Sequence, residues 1–232
     1  MSLPCYSSGV TGSPPQDPAF LFDVDGVLVH SMPLHTQAWE EYLASLGIRI
    51  DDLERRMHGK RNAELVSELI AEGLPESEVF AHGARKEQLW REMILREGVE
   101  RFQVAGLMDF LEKYRSVPKA VASNAEPKNI DFVLDQYGLR PYFPVAVSAL
   151  EVDRPKPFPD IYLEAARRLG AKPEQCIVFE DSPTGLQAGL AAGMRVIGIH
   201  TTPTDLTGSE LEVQDFTDPK LDEWLAGEIP VG

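Results

Sequence analysis

The sequence predicts an α/β protein with a doubly wound parallel sheet and an α-helical cap domain inserted after the first strand. Short apolar runs alternate with helical patterns along most of the chain, which is typical of βαβ units. Between the first and second runs, residues 34–102 carry helical patterns and no convincing strand. That stretch is too long for a single crossover helix, so it indicates a separate helical insertion.

The predicted strands are short apolar segments rich in Val, Ile and Phe. The first, Ala19–Val24, stops at the Asp25–Gly26 turn. The later strands are predicted at Lys119–Ser123, Cys176–Glu180 and Arg195–Ile199, with a weaker candidate at Phe143–Ser148. Because the apolar residues are consecutive and do not alternate with polar ones, we expect strands buried on both faces of the sheet.

The predicted helices fall into two groups. Those of the sheet domain are Leu107–Arg115, Pro127–Tyr137, Pro159–Leu169 and Thr184–Ala192. Those of the insertion are His35–Leu46, Ala63–Ala71 and Glu76–Arg96. We therefore predict a core domain over residues 19–33 and 103–232, a helical cap over residues 34–102, and a flexible N-terminal tail over residues 1–18.

Composition excludes several classes of partner. The formal net charge of −15 repels nucleic acid and anionic membranes, so we expect neither as a partner. The sequence contains no long uncharged apolar run, so we expect no transmembrane helix. The two cysteines, Cys5 in the tail and Cys176 in a predicted strand, do not suggest a disulfide framework. We therefore expect a protein of the reducing cytoplasm, and a monomer or weak dimer.

Chemically active side chains stand where the predicted strands end. They are Asp23, Asp25, Ser123, Asn124, Glu180 and Asp181, joined by Lys156 from the proline-rich loop RPKPFP. Ligands of open α/β sheets bind outside the carboxyl ends of the strands. We therefore expect these groups to converge at one edge of the sheet, with Asp23 and Asp25 on the same strand face because they are two residues apart.

Such a cluster suits phosphoryl transfer. Carboxylates that share one point repel each other unless a cation lies between them, and Mg²⁺ prefers oxygen ligands and also binds phosphate. Asp23 can attack phosphorus as a covalent nucleophile, and Asp25 can carry the proton. Lys156 and Ser123 can stabilise the negative charge of the phosphoryl oxygens.

The motifs resemble those of the haloacid dehalogenase (HAD) superfamily, in the branch with a helical cap after the first strand. Four segments between Phe20 and His200 carry the resemblance in order: DVDGVL from Asp23, Ser123–Asn124, Lys156 in RPKPFPDIY, and EDSPTG from Glu180. The resemblance implies a Rossmann-like core and an aspartyl-phosphate on Asp23. It also implies Mg²⁺ held by Asp23, Asp181 and the carbonyl of Asp25, with Glu180 a further ligand or a residue behind the ligands.

Plainer interpretations exist for each motif. The Asp23–Gly26 segment could be a simple turn, but an EF-hand calcium loop is excluded because Val27 and Leu34 occupy two ligand positions. Asp181–Ser182 could be only a helix cap. Lys156 could be a surface loop residue, and Ser123–Asn124 could be a cap or turn.

Within the superfamily, the sequence leaves hydrolysis and mutase chemistry open. His35 and Trp39 match a His and Trp on the cap helix of β-phosphoglucomutase, although Trp39 could simply pack. The Arg and the Ser–Lys pair with which such mutases hold a second phosphate are replaced here by Asn62 and by Ala125–Glu126. These replacements favour hydrolysis, although Lys60 or Arg61 could substitute in the cap or be exposed charges at a helix start.

The expected substrate is therefore a small phosphorylated metabolite, first of all a sugar phosphate. Haloacid dehalogenases fit less well, because they lack the second Asp and need no metal. A catalytically silent binding protein is disfavoured by the intact set of active groups. His30 stands where many relatives have Asp, and we expect it to affect movement of the cap more than bond cleavage.

Overall fold

The computed structural model describes residues 18–57 and 60–227; the predicted tail, except Pro18, lies outside them. Six parallel strands form one sheet in the order β3-β2-β1-β4-β5-β6. The strands are β1 (Ala19–Phe22), β2 (Lys119–Ser123), β3 (Val145–Ser148), β4 (Cys176–Glu180), β5 (Arg195–Ile199) and β6 (Leu211–Val213). The predicted α/β fold is confirmed. β6 was not predicted because only three residues form it.

Helices cover both faces of this sheet. They are α5 (Leu107–Lys113), α6 (Pro127–Gln136), α7 (Asp160–Leu169), α8 (Pro183–Ala191) and α9 (Pro219–Ala226). In β1, Phe20 and Phe22 point into one layer of buried side chains, whereas Ala19 and Leu21 point into the other. This alternation between two apolar layers is why the strand reads as an unbroken apolar run.

The described part of the insertion that follows β1 contains α1 (Met32–Ser45), α2 (Leu53–Met57), α3 (Asn62–Leu69) and α4 (Glu76–Glu97). They enclose their own cluster of buried side chains, among them Trp39, Leu43 and Val66. The buried face of α4 also contributes Trp90 and Ile94 to the core on one face of the sheet. The helix α2 was not predicted. We propose that the cap domain extends from residue 34 to residue 102.

The two segments that join this insertion to the sheet run side by side. Val29 pairs with Gln103 in an antiparallel bridge, and the His30 N–H donates to the Phe102 carbonyl at 2.6 Å. The His30 side chain is exposed. In the part of the chain that the structure describes, no helix is both long and apolar enough to cross a membrane.

Candidate active site

The first site loop begins directly after β1. The strand ends at Phe22, two residues earlier than predicted, and a turn follows in which the Val24 carbonyl accepts the N–H groups of Val27, Leu28 and Val29. Asp23 and Asp25 therefore lie in this turn, and the prediction that they share a face of the strand is wrong. The turn places them among different partners.

Asp23 is buried beside a cation. Lys156 Nζ lies 3.0 Å from Asp23 Oδ1, although no donor among the described residues makes a well-aligned hydrogen bond to that oxygen. Burial raises the pKa of Asp23, and Lys156 lowers it. The nearby carboxylates of Glu180 and Asp25 raise it further, so that the net pKa is about 6. An orphaned buried carboxylate oxygen of this kind is suited to bind a cation or to react.

Glu180, at the end of β4, is fully engaged by other donors. Its Oε1 accepts from Lys156 Nζ and from the Tyr162 hydroxyl, both at 2.6 Å. Its Oε2 accepts from the backbone N–H groups of Asp181 and Ser182 and from the Ser182 hydroxyl. Because a carboxylate offers about four lone-pair positions, Glu180 is saturated by protein donors. It therefore holds Lys156 from behind the site.

The cluster carries more negative than positive charge. One ligand oxygen each from Asp23, Glu180 and Asp181 lie within 4.8 Å of one another, and all three residues are buried. Lys156 is the cation paired with two of them. Burial, then Glu180 and Asp23, raise the pKa of Asp181 well above its usual value. Three carboxylates against one lysine fit a divalent cation, and Asp23 and Asp181 are the members with oxygens to spare.

Asp25 has partners just before the insertion and on its first helix. The Ser31 hydroxyl donates to Asp25 Oδ1, and His35 Nε2 lies 3.1 Å from the same oxygen. Lys86 Nζ lies 2.6 Å from His35 Nδ1. An ammonium group can only donate, so Nδ1 accepts and Nε2 carries the proton that is donated to Asp25. Burial raises the pKa of Asp25, but His35 and Ser31 lower it by more, so the net pKa is lowered.

Ser123 and Asn124 follow β2 as predicted, with different surroundings. Ser123 is buried, its Oγ accepts from the Ala125 N–H at 3.2 Å, and its side chain lowers the pKa of Asp23. Asn124 Oδ1 accepts from the Lys156 N–H at 3.1 Å, and its Nδ2 faces the Lys156 carbonyl at 3.4 Å. Asn124 therefore fixes the lysine loop, and a contact between Asn124 and substrate stays a prediction.

The predicted substrate residues of the insertion separate into two groups. His35 and Asn62 lie in the network behind Asp25, with Asn62 Nδ2 donating to Glu87 Oε1 at 2.7 Å. Trp39 is fully buried and packs within the insertion. Lys60 and Arg61 are exposed and pair with Glu68 and Glu64 of α3. Trp39 therefore packs, and Lys60 and Arg61 form ion pairs at the surface; their contacts with substrate stay predictions.

Glu87 is a buried carboxylate that the sequence analysis missed. It accepts from Asn62, from Lys86 at 2.9 Å, and from Asn129 of α6 at 2.7 Å, so it joins the insertion to the sheet domain. Burial raises the pKa of Glu87, but Lys86, His35 and Asn62 outweigh it and lower the pKa to about 2. The signal in the sequence was the charged pair Lys86–Glu87 at positions of α4 that face inward.

Other missed residues had weaker signals. Ser31 lies just after the first motif, and Tyr162 closes the RPKPFPDIY segment. Thr202, whose hydroxyl donates to Asp181 Oδ2 at 2.6 Å, lies in a loop that no motif covers. Tyr162 and Thr202 contact predicted residues from other segments of the chain, and such contacts are not visible as spacing.

Comparison with known proteins matches this chain to phosphatases. The model of the haloacid dehalogenase-like hydrolases matches residues 18–193. Fructose-1-phosphate phosphatase YqaB of Escherichia coli (strain K12) is 32% identical over 180 residues, covering 77% of this chain and 94% of the relative. Hexitol phosphatase A of the same organism is 34% identical over 187 residues, covering 80% and 84%.

A solved structure resembles this chain over nearly its whole length. A mutant of CbbY from Rhodobacter sphaeroides, crystallised with xylulose-(1,5)-bisphosphate, superposes with a TM-score of 0.75 at 26% identity. The match covers 88% of this chain and 96% of that chain, so it includes both the sheet and the helical insertion.

Proposed function

The chain belongs to the haloacid dehalogenase-like hydrolases, and we propose that it is a Mg²⁺-dependent phosphatase acting on a small sugar phosphate through an aspartyl-phosphate on Asp23. Its named relatives make it a phosphoric monoester hydrolase of this family. The observation that carries the proposal is Asp23 itself, a buried carboxylate beside Lys156 with one oxygen that lacks a well-aligned donor.

The first half of the reaction transfers the phosphoryl group to the enzyme. Asp23 attacks phosphorus, the bond from phosphorus to the ester oxygen breaks, and Asp25 gives a proton to that oxygen. Lys156 and the Ser123 hydroxyl stabilise the phosphoryl oxygens as negative charge builds on them. Asp23, Asp181 and the Asp25 carbonyl would hold Mg²⁺, which would supply further charge neutralisation.

The second half hydrolyses the aspartyl-phosphate. Asp25, now ionised, takes a proton from a water molecule, whose oxygen attacks phosphorus and releases Asp23 and inorganic phosphate. The lowered pKa of Asp25 favours the carboxylate that is the base in this half, and it works against the protonated form that donates in the first half. The chain Lys86–His35–Asp25 keeps a hydrogen-bond donor aimed at Asp25 and so holds it in place.

Hydrolysis is favoured over the β-phosphoglucomutase-like alternative by the charges around the insertion. A mutase must hold a second phosphate, which requires cations that are not already neutralised. Lys86 is paired with Glu87, and Arg91 is paired with Glu126 at 3.3 Å. The Asn62 amide is bound to Glu87. These residues suit a substrate with a single phosphate and neutral hydroxyl groups.

The remaining parts of the proposal concern the setting. We propose a monomer or weak dimer in the cytoplasm, with no nucleic acid or membrane as partner. The unpaired, buried thiol of Cys176 supports a reducing compartment. The formal charge of −15 supports the exclusion of anionic macromolecules.

The deciding experiment compares wild type with Asp23→Asn on p-nitrophenyl phosphate, with Mg²⁺ and with excess EDTA. We expect turnover only for wild type with Mg²⁺, because the Asn amide is not a nucleophile. Equal background rates for both proteins would reject the phosphatase and support a silent binding protein. A panel of sugar monophosphates then identifies the substrate.

A second assay separates phosphatase from mutase. Wild type is supplied with β-glucose 1-phosphate and a bisphosphate activator, and both inorganic phosphate and glucose 6-phosphate are measured. We expect phosphate release to dominate. Dominant isomerisation would assign the enzyme to the mutases, with the same first chemical step.

A further inference from the structure

The loop after β5 carries three threonines whose hydroxyl groups all contact the active-site loops. Thr201 donates to the Gly26 carbonyl, and Thr204 donates to the Asp181 carbonyl at 2.7 Å. Between them, Thr202 Oγ1 donates to Asp181 Oδ2 at 2.6 Å. Two of these bonds reach backbone, whereas the Thr202 bond reaches a carboxylate oxygen of the candidate metal site.

Asp181 depends on this bond more than the other two carboxylates of the cluster depend on any single donor. Asp23 and Glu180 both pair with Lys156, and Glu180 has four further donors. Among the described residues, only Thr202 donates a hydrogen bond to the Asp181 carboxylate. The neighbouring negative charges repel Asp181, so without that donor electrostatics favours rotation of its side chain away from the cluster.

The backbone of Gly26 also lies close to the same oxygen. A Cβ atom added to Gly26 would lie 1.8 Å from Asp181 Oδ2. Oδ2 therefore contacts the Thr202 hydroxyl and lies close to the Gly26 backbone, while Oδ1 has no protein donor among the described residues. This arrangement commits one oxygen to the protein and leaves the other for a cation.

We propose that Thr202 is a positioning residue that orients Asp181 for Mg²⁺ binding, which deepens the proposed function and rests on it. The hydroxyl holds the carboxylate against the repulsion of Asp23 and Glu180 before the cation arrives. Hydrogen bonds to metal-binding carboxylates of this kind contribute roughly 10- to 100-fold in metal affinity. Because Mg²⁺ keeps several water ligands and depends on few protein oxygens, misorientation of one carboxylate weakens binding substantially.

The test measures Mg²⁺ binding directly, by isothermal titration calorimetry of the purified chain. Thr202→Val replaces the hydroxyl with a methyl group of similar size, and we expect Mg²⁺ affinity to fall about tenfold. Thr202→Ser restores the hydroxyl, and affinity should return to within about twofold of wild type. In phosphatase assays, Thr202→Val should need a higher Mg²⁺ concentration for half-maximal rate than wild type or Thr202→Ser. Its kcat at saturating Mg²⁺ should be nearly retained.

Thr204→Val is the matched control. It removes a hydroxyl of the same loop that binds the backbone carbonyl of the same aspartate, and so leaves the carboxylate hydrogen bond intact. We expect its Mg²⁺ affinity to stay within about twofold of wild type. Melting curves of all three variants check that each is folded.

Several results would overturn the inference. Thr202→Val with wild-type Mg²⁺ affinity would show that the hydroxyl does not orient Asp181. Equal losses in Thr202→Val and Thr204→Val would assign the effect to loop stability. Absence of Mg²⁺ binding by wild type would also reject it. Because binding is measured without turnover, a chain that binds Mg²⁺ through Thr202 but hydrolyses no phosphate would reject only the proposed function.

Discussion

The hydroxyl of Tyr162 offers a sharp test of how the active-site lysine is held. Tyr162 is fully buried on α7, and its hydroxyl donates to Glu180 Oε1 at 2.6 Å. The same oxygen accepts from Lys156, whose Nζ also lies 4.8 Å from the centroid of the Tyr162 ring. Tyr162→Phe removes the hydroxyl and keeps the ring, so it changes one hydrogen bond and little else.

The expected loss of stability follows from the charge of the acceptor. A hydrogen bond to an ionised group contributes about 1.5–3 kcal/mol. Since Glu180 Oε1 keeps its bond to Lys156, we expect a loss near 2 kcal/mol in the free energy of unfolding. For a chain of this size, that corresponds to a fall of roughly 4–8 °C in Tm. With one donor lost, Glu180 attracts Lys156 more strongly, and kcat should fall about tenfold, equivalent to ~1.4 kcal/mol.

The assay is urea unfolding at pH 7 and fixed Mg²⁺, with p-nitrophenyl phosphate turnover measured on the same samples. Tyr42→Phe is the control, because the Tyr42 hydroxyl contacts His82 Nδ1 at 2.5 Å, away from the carboxylate cluster. It should lose about 0.5–1.5 kcal/mol and no activity. If Tyr162→Phe unfolds within about 0.5 kcal/mol of wild type, Glu180 does not need that donor and the reasoning is refuted.

Three further predictions concern other parts of the site. The pKa of Glu87, about 2 in the fold against an ordinary 4.5, means that its charge stabilises the fold above pH 4.5 by about 3 kcal/mol, and this contribution is lost as the pH falls towards 2. The stability advantage of wild type over Glu87→Gln in urea should therefore shrink between pH 5 and 3; a constant difference would contradict it. Gly26→Ala should abolish Mg²⁺ binding, because the added Cβ would clash with Asp181 Oδ2. Gly47→Ala has the same φ of +75° and open space around it, so it should keep Mg²⁺ binding and lose only about 1–2 kcal/mol in urea unfolding. Equal Mg²⁺ affinities of the two variants would exclude the clash with Asp181. His30→Asp should keep kcat within about twofold, because the side chain is exposed; lowered activity at every pH would give it a direct role.

Much of the fold could be predicted from the sequence, because apolar runs and helix ends depend on neighbouring residues. The unbroken apolar run Ala19–Phe22 needs two covered faces, which a parallel sheet with helices on both sides provides. The proline starts and glycine ends of the helices likewise report backbone geometry that depends on a few neighbouring residues. The short elements α2 and β6 escaped, since five and three residues are too few for a periodic pattern.

The convergence of Asp23, Asp25, Ser123, Lys156 and Asp181 was predictable for a related reason. Each lies in or beside the loops where parallel strands end, and that topology alone brings such loops to one edge of the sheet. The roles of these residues remain predictions until the variants above are measured. Their chemistry, however, follows from residue types that the sequence states outright.

The partners of those residues were decided only by the tertiary structure. Glu180 could have been a metal ligand as far as the sequence showed, but in the fold Tyr162, Lys156 and Ser182 occupy its oxygens. The sequence left Lys60 open as a cation that could bind a phosphate, and in the fold Lys60 forms an ion pair with Glu68. Such assignments depend on which donors reach which oxygens across the folded chain, a matter of ångströms between distant residues.

Asp23 shows the division clearly. The sequence by itself determined that a carboxylate follows the first strand, with a second carboxylate two residues later and the motifs of a phosphoryl-transfer enzyme around them. The structure decided that Asp23 is buried against Lys156, that Asp25 is held by Ser31 and His35, and that Thr202 holds Asp181. Local composition sets what a residue can do, whereas burial and distance set its charge and its partner, and these arise only when remote segments pack together.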